Sequence, residues 1–193
     1  MDNKKSEMEI LNKRIRAACA SAFPDARAVC GEGPVPSPLM VIGEAPGRDE
    51  TKAGRPFVGK GGSFFIEVFE RASGLKRDEV YISNAVKVWP TLATQRKKTR
   101  KPLRAEQELF LPFLMEEIRI VDPVVILAVG KTAFSSLLPE EPFEAGKWTS
   151  FKERSVMAVY HPSYLLRRQK SLAESARELE LAIIEVAAKI KGR

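Results

Sequence analysis

Val124-Val125-Ile126-Leu127-Ala128-Val129-Gly130-Lys131 is the stretch that decides the fold. Six consecutive apolar residues, four of them β-branched, have no polar face. They read as a short strand covered on both sides. Gly130 ends the run, and Lys131 to Leu138 then reads as a short helix. Three further runs have the same character: Leu39-Met40-Val41-Ile42, Val80-Tyr81-Ile82 and Val156-Met157-Ala158-Val159-Tyr160. Helical patterns fill the intervals. Ser63 to Ala72 spaces Phe64, Phe65, Val68 and Phe69 along one face before Gly74. Ala105 to Val121 is rich in Glu, Leu and Met, and an N-terminal helix covers about Ser6 to Ala22. Leu172, Ala176, Leu179, Ile183, Val186 and Ile190 give the last helix one apolar stripe. This alternation predicts an α/β fold, a three-layer sandwich with a central, mainly parallel four-stranded sheet flanked by helices. No internal repeat or domain boundary stands out, so residues 1–193 are expected to form one domain.

Bulk properties narrow the class. Hydrophobic residues make up 44% of the 193, which suits a globular protein with a sizeable core. No apolar run approaches the roughly 20 residues that span a bilayer. The charged start, Met1-Asp2-Asn3-Lys4-Lys5, leads into no signal-type core, so the expectation is a cytoplasmic, nucleoid-associated monomer with no membrane partner. Cys19 and Cys30 form no CxxC pair and are too few for a zinc site. The net charge of +7 favours a polyanionic partner. Its distribution sharpens that reading: Arg96-Lys97-Lys98-Thr99-Arg100-Lys101-Pro102-Leu103-Arg104 holds six cations and no acid, overlapping the end of the one long irregular stretch, Thr91–Pro102. Arg167-Arg168-Gln169-Lys170 forms a second cluster.

Each predicted strand ends at a residue with chemistry: Gly43-Glu44, Asn84, Gly130-Lys131 and His161, the only histidine. In open α/β sheets the ligand crevice lies outside the carboxyl ends of the strands. One acid, one amide, one helix start and one imidazole are therefore expected to converge on a single cleft. Familiar nucleotide signatures are absent. Gly130-Lys131-Thr132 matches the tail of a phosphate loop, but the glycine required five residues before Gly130 is Val125. Gly59-Lys60-Gly61-Gly62 is glycine-dense without completing a dinucleotide fingerprint, and lets backbone approach a ligand or a DNA phosphate. Phe57, in the loop Gly54-Arg55-Pro56-Phe57-Val58-Gly59, suits either a stacking platform or simple packing.

Taken together, Gly43-Glu44-Ala45-Pro46-Gly47, Gly54-Arg55-Pro56-Phe57-Val58-Gly59, Tyr81-Ile82-Ser83-Asn84-Ala85-Val86-Lys87 and His161-Pro162-Ser163-Tyr164-Leu165-Leu166-Arg167 resemble the uracil-DNA glycosylase superfamily, and within it family 4, the iron–sulfur type. The resemblance runs from about Arg27 to Ile190. It implies a monofunctional DNA-repair hydrolase that flips uracil out of single- or double-stranded DNA and cleaves its N-glycosidic bond, leaving an abasic site. By position it makes Glu44, Asn84 and His161 the catalytic set. Gly43, Ala45, Pro46 and Gly47 would contact base and attacking water, Phe57 would stack on uracil, and Asn84 would pair with N3–H and O4. His161 would donate to O2. Lys60, Gly61, Lys131, Ser163, Tyr164, Leu165, Leu166, Arg167 and Arg168 would bind DNA, with Leu165-Leu166-Arg167 filling the gap left by the flipped nucleotide. Glu44 would either orient the water or crowd uracil C5, and Asp49 and Glu50 are weaker candidates for the water.

The chain departs from family 4 at the cluster. Cys19 matches the first of four cysteine positions, but the others fall near Ala22, at Val88 and at Phe110, so the expectation is no iron–sulfur cluster, no other cofactor and no metal, with apolar packing of Val88 and Phe110 instead. The lengthened basic loop also carries no histidine, so irreversible trapping of the sugar is not expected. Two alternatives accompany this reading. One is a broader glycosylase for hypoxanthine or xanthine, and the other a catalytically silent DNA-damage-binding module. A small-nucleotide binder would not need the Leu165-Leu166-Arg167 wedge.

Overall fold

The computed structural model describes residues 2–92, 98–168 and 171–192. Arg96, Lys97, Gln169 and Lys170, members of the two basic clusters, lie outside the described residues. The strands are β1 (Leu39–Gly43), β2 (Tyr81–Asn84), β3 (Val125–Val129), β4 (Trp148–Phe151) and β5 (Arg154–Val159), in spatial order β2-β1-β3-β5-β4. The helices are α1 (Asp2–Ala22), α2 (Arg48–Ala53), α3 (Lys60–Ser73), α4 (Arg104–Val121), α5 (Lys131–Leu137), α6 (Pro162–Leu165) and α7 (Leu172–Lys191).

Side-chain alternation explains why the strands are apolar throughout. Met40 and Ile42 of β1, Ile126 and Ala128 of β3, and Val156 and Ala158 of β5 enter the core under α1, α4 and α5. Their neighbours Leu39, Val41, Val125, Leu127, Val129, Met157 and Val159 enter the opposite core under α3 and α7. The residues of β1 and β3 and the buried half of β5 thus meet a helical layer on either face, the arrangement expected of a three-layer sandwich. All pairings except β4 with β5 are parallel.

The sheet has five strands where four were expected. β4 is an antiparallel edge strand paired through Ser150 and Ser155, reached by a turn at Lys152, whose φ is +54°. It is mostly half-exposed, contains Thr149 and Ser150, and turns without a glycine, so neither period nor turn chemistry announced it. α2 also forms within what read as loop. Asp49 and Glu50 occupy its first turn, and Gly54 closes it at φ 73°.

Strand order sets the position of the cleft. The chain runs outward from β1 to β2 and then crosses to β3 on the other side of β1, so the order reverses between β1 and β3. The carboxyl ends of β1, β2, β3 and β5 lie on one edge, bringing Glu44, Asn84, Gly130 and His161 there.

Candidate active site

Gly43 is the floor on which the site is assembled. A Cβ built there would lie 2.3 Å from Asn84 Oδ1 and 2.8 Å from two ring carbons of Phe57. Only a bare backbone lets the amide from β2 and the aromatic ring from the following loop close over the end of β1. Phe57 adopts φ +54°, a conformation costly for a bulky residue. It is locked there from three sides. Arg77 donates to the carbonyls of Pro56 and Phe57, the Gly62 backbone packs against that of Phe57, and the Phe65 ring lies 5.2 Å away.

Phe57, Gly62 and Asn84 line a cavity of about 420 Å³, within the size range of small-ligand sites, while Gly43 lies beneath its lining. Glu44, Ala45, Pro46, Gly47, Phe57, Lys60, Gly61, Asn84, His161, Ser163 and Arg167 all reach it, as expected from the motifs. Asn84 is only 4% exposed, and its carboxamide has no hydrogen-bond partner among the described residues. Its polar atoms are not sealed from solvent: among the described residues the enclosed side-chain atoms without a partner are Asn12 Oδ1 and Arg154 Nε. The Asn84 amide opens onto the cavity, with the Phe57 ring beside it.

His161 caps α6. Its Nδ1 accepts a hydrogen bond from the Ser163 amide at 3.2 Å, so in the neutral ring the proton sits on Nε2. Burial pushes the imidazole pKa below its usual value, with Arg167 acting in the same direction and Glu44 and Glu50 opposing. The neutral, Nε2-protonated form is therefore favoured around pH 7. The ring packs on Gly130, where a Cβ would meet His161 Cβ at 3.1 Å and the φ of +96° also calls for glycine.

The three acids near the cleft separate by their partners. Glu50 accepts from the backbone amides of Gly47 (3.0 Å), Val58 (3.1 Å) and Gly59 (2.7 Å). It staples the loop after β1 to the loop carrying Phe57. Asp49 is exposed and faces Arg48. Glu44 accepts from Thr132 Oγ1 of α5 through Oε2, which aims the carboxylate across the cavity mouth.

Leu165 is corrected. It was expected to enter the DNA, but it is 1% exposed and belongs to the core under α7 with Ala176 and Leu179. The turn at α6 sends one of two adjacent leucines inward, and Leu166 stays half-buried as its C-cap. Lys131 and Tyr164 line an adjoining groove, while Arg168 pairs with Glu178 behind the Tyr160 and Tyr164 rings.

Thr99 and Arg100 also reach the cavity. In the stretch Thr91–Pro102, read as irregular, the described residues on either side of 93–97 pair with each other. Leu92 N–H donates to the Lys98 carbonyl and Arg100 N–H to that of Pro90, both at 3.0 Å. Arg100 is fixed by two 2.7 Å contacts to Glu106. Glu50, Thr132 and Arg100 were not named for these tasks from sequence. An acid three residues after Gly47 at a helix start hints at Glu50, whereas the Thr132–Glu44 contact spans 88 positions and leaves no local signal.

Val88 and Phe110 pack with Cys19, Val86 and Phe23 in a small apolar cluster. Cys30 sits in a different core, its Sγ directed to the Asn12 carbonyl at 3.9 Å. Among the described residues, no three His, Cys, Asp or Glu side chains are grouped to hold a metal. One thiol ringed by hydrocarbon does not fit a four-thiolate cluster.

A parallel sheet with its switch point at β1/β3, and a cleft of amide, imidazole and aromatic ring, defines an α/β enzyme of base-excision type. Residues 30–184 match the Uracil DNA glycosylase superfamily, and the chain belongs to that family. It is similar to the type-4 uracil-DNA glycosylase of Thermotoga maritima, 34% identical over 96% of this chain and 93% of that protein. Similarity to the type-4 enzyme of Pyrobaculum aerophilum is 33% over 80% of this chain and 81% of that protein. The structure of Pedobacter heparinus SMUG2 shares the fold at a TM-score of 0.50 and 16% identity, covering 81% of this chain and 75% of that one. Among the described residues, no helix is long and apolar enough to cross a membrane.

Proposed function

We propose that this protein is a monofunctional uracil-DNA glycosylase, working in the cytoplasm or nucleoid as a monomer without an iron–sulfur cluster. The observation that carries this reading is the uncommitted Asn84 carboxamide beside the Phe57 ring, both lining one cleft. An amide offers one acceptor and one donor in a plane, matching uracil N3–H and O4. Cytosine presents the reverse pattern, which the same amide would meet only by turning over. Phe57 then holds the face of the ring, and Gly43 to Gly47 bound its edge.

Cleavage breaks the C1′–N1 bond, and the electron pair leaves with the base. Neutral His161 donates Nε2–H to O2, where negative charge accumulates, without transferring the proton. Glu44, anchored by Thr132 through one oxygen, uses the other to orient the water. The water oxygen bonds to C1′ as its proton passes to the carboxylate. Glu50 is occupied by three amides and Asp49 is exposed, which supports Glu44 in this role. Lys60, Arg100, Arg167 and the Gly61 backbone line the cleft where the strand's phosphates would run.

The test is incubation with a single-uracil oligonucleotide, followed by alkaline cleavage of abasic sites. Strand breaks are expected from the wild type, and from Asn84→Ala at a rate about 10²–10³-fold lower. Cleavage confined to hypoxanthine or xanthine in the same panel would overturn the uracil assignment. Purified protein is expected to be colourless near 400 nm, and a brown preparation would overturn the cofactor assignment.

A further inference from the structure

A groove of about 720 Å³ continues from the base cavity on the far side of His161. The two share Glu44, Thr99, Arg100, His161, Ser163 and Arg167, so a strand delivering a base to one passes directly into the other. One wall of the groove is aromatic. Tyr160 and Tyr164 lie 5.3 Å apart, and Phe143 meets Tyr160 at 5.9 Å. Both tyrosines remain exposed, at 38% and 45%. Arg168 does not line the groove. Its guanidinium lies 5.8 Å and 5.4 Å from the two ring centroids and is tied to Glu178, bracing the rings from outside. Lys101 and Lys131 line the same groove and make it cationic.

Braced, solvent-facing rings beside cations are the construction that binds unpaired bases. The rings accept the flat face of any base, and the cations track the backbone. We propose that this groove is a subsite for the nucleotide adjacent to the uracil, whose base stacks on Tyr160 and Tyr164 while its phosphate meets Lys131 or Arg167. The proposal rests on the glycosylase reading. It makes single-stranded DNA the better substrate, because a neighbour that stays paired in a duplex cannot turn onto the rings.

The test is a chemical double-mutant cycle in kcat/KM. Single-stranded oligonucleotides carry uracil flanked on either side by a normal nucleotide or by a tetrahydrofuran abasic analogue. They are cleaved by the wild type, Tyr164→Ala and Tyr160→Ala/Tyr164→Ala. In the wild type, removing the base on one side is expected to lower kcat/KM about tenfold, the scale of one stacking contact. In the double variant the same removal is expected to add little, and the single-strand advantage over duplex shrinks by a similar factor. Losses that multiply independently would overturn the subsite. Tyr164→Ala alone keeps the cycle decisive if the double variant folds poorly. If no uracil oligonucleotide is cleaved, the glycosylase reading fails. The same cycle measured as Kd by fluorescence anisotropy still tests the stacking.

Discussion

Ser83 and Asn84 are neighbours on β2, and their side chains leave the strand on opposite faces. Ser83 enters a sealed polar cluster. It accepts from Lys87 Nζ at 2.7 Å and donates to Glu117 at 2.9 Å, while Glu117 also takes the Lys87 ammonium at 2.6 Å and the Tyr81 hydroxyl at 3.0 Å. Lys87 and Glu117 are both 0% exposed. Burial, then Glu117, pushes the Tyr81 phenol well above its usual pKa. Asn84 enters the cleft with neither end of its amide engaged. On one side of the strand every polar atom faces another, and the side chains hold the strand still. On the other, the hydrogen bonds are left for a ligand.

The sharpest way to break this comparison is Glu117→Ala. It strands the Lys87 ammonium in the interior and is expected to cost about 3–5 kcal/mol in denaturant unfolding. Asn84→Ala is expected to do the opposite. Its uracil-excision rate falls about 10²–10³-fold, by analogy with the loss of one preorganised polar contact, while its Tm stays level or rises. Equal destabilisation by the two variants would erase the distinction between sealed and open clusters.

Glu50→Ala sits between these extremes, because Glu50 is saturated with partners yet borders the cleft. Freeing three backbone amides is expected to cost about 1.5–3 kcal/mol. Excision should fall as Phe57 loses its constraint, with Glu50→Gln recovering part of both. The smallest effect is in pH. The unfolded chain binds a proton on His161 at its ordinary pKa of about 6.5, whereas the native imidazole resists until lower pH. Stability is therefore fully present above about pH 6.5 and is lost as pH falls through this window toward the native pKa. Thermal melts of wild type and His161→Gln between pH 7.5 and about pH 5 should converge on the acid side. Parallel curves would show that His161 carries no such linkage.

The legible parts of this molecule are those encoded by local pattern. Continuous apolar runs located β1, β2, β3 and β5, and their ends named Glu44, Asn84 and His161. What stayed hidden depends on contacts between distant segments. β4 exists because β5 offers it an edge, and its own Trp148-Thr149-Ser150-Phe151 carries little strand signal. Leu165 and Leu166 are identical in type, and only the packing of α7 decides which is core. Thr132 acquires its role from Glu44, a residue on another element. Val88 and Phe110 were expected from sequence to be packed in hydrocarbon, but their packing against Phe23 had no local signal.

Gly43 has a consequence for how this site can change over generations. Every missense change of a glycine codon adds a side chain, and at this position the first added carbon collides with both Asn84 and Phe57. The gene has no gentle variant there. Drift toward another base would have to enter through cavity-lining positions outside the reacting set, such as Thr99 and Arg100, while codon 43 tolerates only silent substitution.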